Sequence, residues 1–164
     1  MPIGQSAPTS EIAALRGELA NMAQRIGELE RARLRPIRGV DSDDGPKNLN
    51  ATGVVACTVT LTIPQTWSSG WSYEAVGMQV IRDKGAATAT RSCTLVLERD
   101  ASTVEAMIGT AVTGSNRKPL PITWMERGIT DVGSVEWETN LTLSTNDDYE
   151  VRSMVLWVRA ERDS

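Results

Sequence analysis

The hydrophobic period of this chain changes once, from about 3.5 residues before Arg35 to two residues after Gly53. That change constrains the fold more than any other feature. Over the first segment Ile12, Leu15, Leu19, Met22, Ile26 and Leu29 recur at alternating spacings of three and four. They form the seam of a heptad, with Ile12, Leu19 and Ile26 at a and Leu15, Met22 and Leu29 at d. Glu11 and Arg25 fall at g, Arg16 and Glu30 at e, so the pairs across a parallel interface have opposite sign.

The run Arg25-Ile26-Gly27-Glu28-Leu29-Glu30 fits the Arg-h-x-x-h-Glu pattern (h apolar) of parallel trimeric coiled coils. There the arginine lies along the seam and reaches the glutamate of the next helix. Ile at a with Leu at d favours two strands by itself, so the two signals conflict, and the six-residue pattern decides for three. The alternative is an amphipathic helix packed on its own domain. The narrow stripe argues against it, because Ala13, Ala14, Gly17, Ala20, Asn21 and Gln24 supply no second strong apolar face. The expected trimerisation residues are therefore Ile12, Leu15, Leu19, Met22, Arg25, Ile26, Leu29 and Glu30. Thr9 or Ser10 can cap the helix, and Pro36 stops it near Arg35. Arg31, Arg33, Arg35 and Arg38 then form a basic cluster that serves either as a docking patch or to offset the helix dipole.

From Gly53 the alternation is of β type. Val55, Cys57, Val59, Leu61 and Ile63 alternate with Ala56 and three threonines until Pro64. Further strands are expected at 73–82, 89–98, 104–112, 120–126, 134–143 and 149–160, separated by turn sequences such as Asp83-Lys84-Gly85 and Arg99-Asp100-Ala101-Ser102. The last run is apolar on both parities, which places it centrally or at a subunit interface. The expected fold class is mainly β, an N-terminal coiled coil followed by an antiparallel, jelly-roll-like β-sandwich. The expected domains are an arm at 1–9, a stalk at 10–35, a linker at 36–52 and a head at 53–164. The linker sequence Asp41-Ser42-Asp43-Asp44-Gly45 lacks the alternate spacing of a calcium loop, and Thr52 stands where the closing glutamate would be.

Composition removes several chemistries. The chain has no histidine, which excludes Ser-His-Asp, Cys-His and His-ligated zinc sites. Cys57 and Cys93 are too few for a zinc site and fall on the inward parity of their strands, as buried thiols do. A net charge of −4 argues against nucleic acid as a partner. Met1–Ser10 has neither the basic region nor the apolar core of a signal peptide, and no apolar run reaches membrane-spanning length, so no membrane insertion is expected. The carboxylate pairs Asp147/Asp148 and Glu136/Glu138 have no converging partner, so no catalytic residue, metal or cofactor is assigned. Five tryptophans in a chain without phenylalanine suggest a sugar-stacking surface. Trp67 and Trp71, flanking Ser68-Ser69-Gly70, are the candidate ligand-binding residues. The alternative for both is that they cap the core or pack on a neighbouring subunit, while Trp124, Trp137 and Trp157 read as core.

A short polar arm, a brief trimer-type coiled coil, a Gly/Asp/Pro linker and a terminal sandwich together resemble small appendage proteins of tailed bacteriophages: tail or head fibres and receptor-binding spikes. The residues that carry the resemblance are Arg25–Glu30, the strand Cys57–Pro64 and the closing strand Val155–Ala160. It implies a non-enzymatic homotrimer in the virion, assembled in the host cytoplasm. Its N-terminal arm would dock to other virion proteins, and its heads would face a host-surface glycan. A trimeric capsid decoration protein, and a cellular trimeric lectin or adhesin or a degraded glycan enzyme, are the other readings of the same features.

Overall fold

The computed structural model describes residues 7–33, 35–49, 54–114, 117–145 and 148–163, without the side chains of residues 7–12, 30–33 and 54–56. The chain divides between Arg35 and Pro36 into two compact units. The first contains one helix, α1 (Ala7–Arg33). It begins earlier than its capping residues predict, so Thr9, Ser10 and Glu11 lie inside it and the polar arm is shorter than expected. It also ends two residues before Arg35. Pro36 explains that end, because the residue before a proline is pushed out of helical geometry.

Among the described residues the second unit holds nine strands: β1 (Ile37–Asp43), β2 (Lys47–Leu49), β3 (Val54–Ile63), β4 (Trp71–Asp83), β5 (Arg91–Arg99), β6 (Ser102–Ala111), β7 (Lys118–Ile129), β8 (Gly133–Leu143) and β9 (Tyr149–Arg162). One sheet has the order β1-β9-β4-β7, with β2 also paired to β9; the other is β3-β8-β5-β6, and every pairing given is antiparallel. The chain changes sheet at every connection except β1–β2 and β5–β6. That connectivity is a jelly roll, two Greek keys wrapped around one core.

The segment expected to be a linker is therefore part of the sandwich. No apolar alternation marks β1 in the sequence, because its inward-leaning positions include Gly39, Asp41 and Asp43. Each is accommodated by tertiary structure. A Cβ on Gly39 would lie 2.5 Å from Val59 Cγ1, so glycine lets β1 approach β3. The Asp41 carboxylate accepts the Thr58 backbone N–H at 2.9 Å. Asp43 accepts the Gly45 N–H at 2.7 Å and pairs with Lys47 at 3.0 Å, closing the β1–β2 turn.

Alternation supplies the core. Val59, Leu61 and Ile63 from β3, Leu95 and Leu97 from β5, and Val135, Trp137 and Leu141 from β8 meet Trp71, Tyr73, Ala75 and Ile81 from β4 and Met154, Leu156 and Val158 from β9. Cys57 and Cys93 are free and buried within it. The β5–β6 hairpin turns on Asp100 and Ala101, both at positive φ (48° and 61°), as a two-residue loop between twisted strands requires. Asp100 fixes this turn to β8: its carboxylate accepts the Glu136 N–H and its own N–H donates to the Glu136 carbonyl, both at 2.9 Å.

Candidate interaction surfaces

On α1 residues 13–29 are exposed except Gly27, the expected seam among them. Leu15, Leu19, Met22, Ile26 and Leu29 are 53–65 % exposed, although they are the large apolar residues of the helix. Arg25 is exposed beside them. Ile12 and Glu30 complete the predicted set, but their side chains lie outside the described residues.

Trp67 and Trp71 are not a stacking platform. Trp67 ends a short 3-10 turn (Gln65–Trp67) and is 2 % exposed; Trp71, the first residue of β4, is 0 % exposed. The Trp71 indole N–H donates to the Asp131 carbonyl at 2.6 Å, and its ring lies 6.1 Å from Tyr73 and edge-on to Trp137 at 6.2 Å. Neither indole offers a face to a sugar, and both cap the core, the alternative that their sequence also allowed. Trp137 is core, Trp124 is partly buried against it, and Trp157 points instead to the outer face of the β9 sheet, half-buried.

The same end of the sandwich holds a polar cluster that ties the sheets together. The Tyr73 hydroxyl donates to Glu126 at 3.2 Å, and Arg99 pairs with Glu126 at 3.0 Å while lying 5.8 Å from the centre of the Tyr73 ring. Burial, then the Glu126 charge, holds the phenol well above its ordinary pKa, so it stays a neutral donor. Next to it runs a groove of about 340 Å³ whose lining includes Glu74, Arg127, Arg159, Glu161, Arg162 and Asp163. Arg159 pairs with Glu161 at 2.8 Å, and Asp163 accepts the Gly128 N–H at 3.2 Å. Such a groove offers donors and acceptors in balance, without an excess charge.

The two outer faces of the sandwich differ in chemistry. On the β3-β8-β5-β6 sheet, Thr58, Thr60, Thr62, Thr94 and Thr142 share the face with Glu98, Glu136 and Glu138. Burial, then the charges of Glu98 and Glu136 on the same face, raise the Glu138 carboxyl above its ordinary value. Asp147, of the other carboxylate pair, lies outside the described residues. On the β1-β9-β4-β7 sheet the outer face has an apolar centre flanked by Arg38, Ser42, Glu74, Thr123 and Arg159. Val40 opposes Trp157, which opposes Val76; in the next row Val155 opposes Met78, which opposes Pro121. This face is legible in part from the two-sided apolar pattern of the last strand. The contribution of β1 is not, because Val40 stands between Gly39 and Asp41 in sequence.

Among the described residues no group of three or more His, Cys, Asp or Glu is placed to hold a metal ion, and no helix is long and apolar enough to cross a membrane. No protein-family model matches this chain, and no curated protein matches it. Solved structures with a distant likeness to it include dimeric latent PorU from Porphyromonas gingivalis (9 % identity, TM-score 0.45, 79 % of this chain and 13 % of that one). Another is the Gx strain of infectious bursal disease virus (13 % identity, TM-score 0.44, 79 % and 37 %). A third is a family 35 carbohydrate-binding module from Clostridium thermocellum (13 % identity, TM-score 0.32, 74 % and 97 %). This chain thus spans only 13 % of the first and 37 % of the second. Similarity at this level assigns no function.

Proposed function

We propose that this chain is a non-enzymatic, homotrimeric virion structural protein of the fibre or spike type, with α1 as its stalk and the sandwich as its head. The observation that carries this reading is the exposed heptad stripe of α1, five large apolar residues at a and d positions in contact with water. The other unit is a sandwich whose core is closed by its own strands. Three heads on one stalk turn a modest single-site affinity into strong attachment, because the second and third contacts form at high effective concentration.

The N-terminal arm is the docking element toward the particle, and the heads make the host contact. With Trp67 and Trp71 withdrawn into the core, the glycan contact falls to other parts of the head surface. The second reading, a capsid decoration trimer, draws on one observation: the apolar centre of the outer face of the five-stranded sheet, a docking face of the kind a clamp needs. The test is the solution mass of the full chain by light scattering. The expected value is three times 17.8 kDa; a monomer would overturn the reading.

A further inference from the structure

We infer that the outer face of the β1-β9-β4-β7 sheet is a contact between heads, covered by a second copy of the sandwich within the trimer. This rests on the trimeric reading above and extends it from the stalk to the heads.

An antiparallel sheet with one face on the core and one in water reads as apolar alternating with polar, whereas strands covered on both faces read as apolar throughout. β9 and β4 approach the second kind over their central residues, between outward Glu74 and Arg82 on β4 and outward Ser153 and Arg159 on β9. Tyr149–Arg162 presents Met154, Leu156 and Val158 inward and Val155 and Trp157 outward; Trp71–Asp83 presents Val76, Met78 and Val80 outward. The registers bring these together with Val40 and Pro121 into one surface, in which Val40 is 67 % and Met78 41 % exposed. The opposite outer face carries mostly threonine and glutamate, with Val96 and the exposed Ile108 as apolar exceptions.

The charges at the rim identify the occupant. One row beyond the apolar centre, Arg38 opposes Arg159, which opposes Glu74, which opposes Met125. Arg159 is paired with Glu161, while Arg38 and Glu74 make no ion pair among the described residues. A face that carries such a cation toward its β1 edge, such an anion toward its β7 edge and an apolar centre is complementary to the same face of the next copy around a closed ring. In addition, only residues 34–36 separate the end of α1 from the start of β1. Heads tethered through so short a connection meet at millimolar effective concentration, where a weak face is populated.

The test uses the full chain with a cysteine placed on either outer face, since the native Cys57 and Cys93 are buried. Met78→Cys and Thr60→Cys are each made alone and combined with Ile26→Asp, which separates the stalk; masses are measured by light scattering and labelling rates with a maleimide. The expected result is Met78→Cys labelling slowed by about an order of magnitude or more in the trimer relative to the separated chain, with Thr60→Cys unchanged. Equally fast labelling of Met78→Cys in a confirmed trimer would overturn this inference, leave the trimer standing and favour the capsid reading of the face. Slow labelling in trimer and separated chain alike would assign the cover to the chain's own residues and overturn it as well. A full chain that is monomeric would overturn the trimeric reading, and this inference with it.

Discussion

Ile26→Asp places a carboxylate at the third a position of α1, and its effect can be worked from exposure. Ile26 is 56 % exposed in the single chain, so the proposed trimer would cover about half of its side chain. Full burial of such a side chain stabilises by about 1.5–3 kcal/mol, so the substitution removes about 1 kcal/mol per chain, about 3 per trimer. Three carboxylates in one layer add repulsion of about 1 kcal/mol for each pair even with water-like screening. Together the loss is about 6 kcal/mol, or about four orders of magnitude in the association constant. Light scattering at micromolar concentration should then give the single-chain mass. The near-ultraviolet signal of the Trp71–Tyr73–Trp137 cluster should persist, because that cluster belongs to the other unit. Repulsion and desolvation raise the pKa of these carboxylates in the assembled state, so lowering the pH through the ordinary aspartate range should restore the trimer. A variant that keeps the threefold mass at neutral pH would refute the assignment of α1 as the assembling element.

Two predictions concern the sandwich itself. Gln79 is 0 % exposed, and both of its amide atoms lack a hydrogen-bond partner, so Gln79→Met, similar in volume and apolar, should raise stability by about 1–2 kcal/mol in chemical denaturation. No gain would mean that the amide is satisfied in solution. Asp83 accepts backbone N–H groups of Gly85 at 2.7 Å, Gly114 at 2.7 Å and Ala87 at 3.1 Å, and these bonds, that of Gly85 foremost, hold its carboxyl below the ordinary value. A depressed folded-state pKa stabilises the fold above the unfolded value and loses that contribution as the pH falls through the folded one. Denaturation midpoints should therefore decline with acid below about pH 4, and Asp83→Asn should be less stable at neutral pH with a shallower decline.

The chain determined much of this structure locally. The switch from the heptad to alternation separates helix from sandwich, because each period can bury only one kind of face. The turn sequences place the boundaries of seven strands within a few residues. The inward parity of Cys57 and Cys93 is likewise local, and burial pushes the Cys57 thiol up to about 11, as an apolar surrounding requires. Tertiary structure decided the rest. β1 and β2 exist because β9, more than a hundred residues later, supplies their hydrogen bonds, and the polar inward side chains of β1 find partners in β3 and in the following turn. The fate of Trp71 is set in the same way: an indole beside a Ser-Ser-Gly loop looks exposed until a carbonyl sixty residues away accepts its N–H and two aromatic rings close over it. Alternation says which residues share a face. Only the order of strands across the sheet says which faces join, and that order gathers Val40, Val76, Met78, Val155 and Trp157 into one apolar surface.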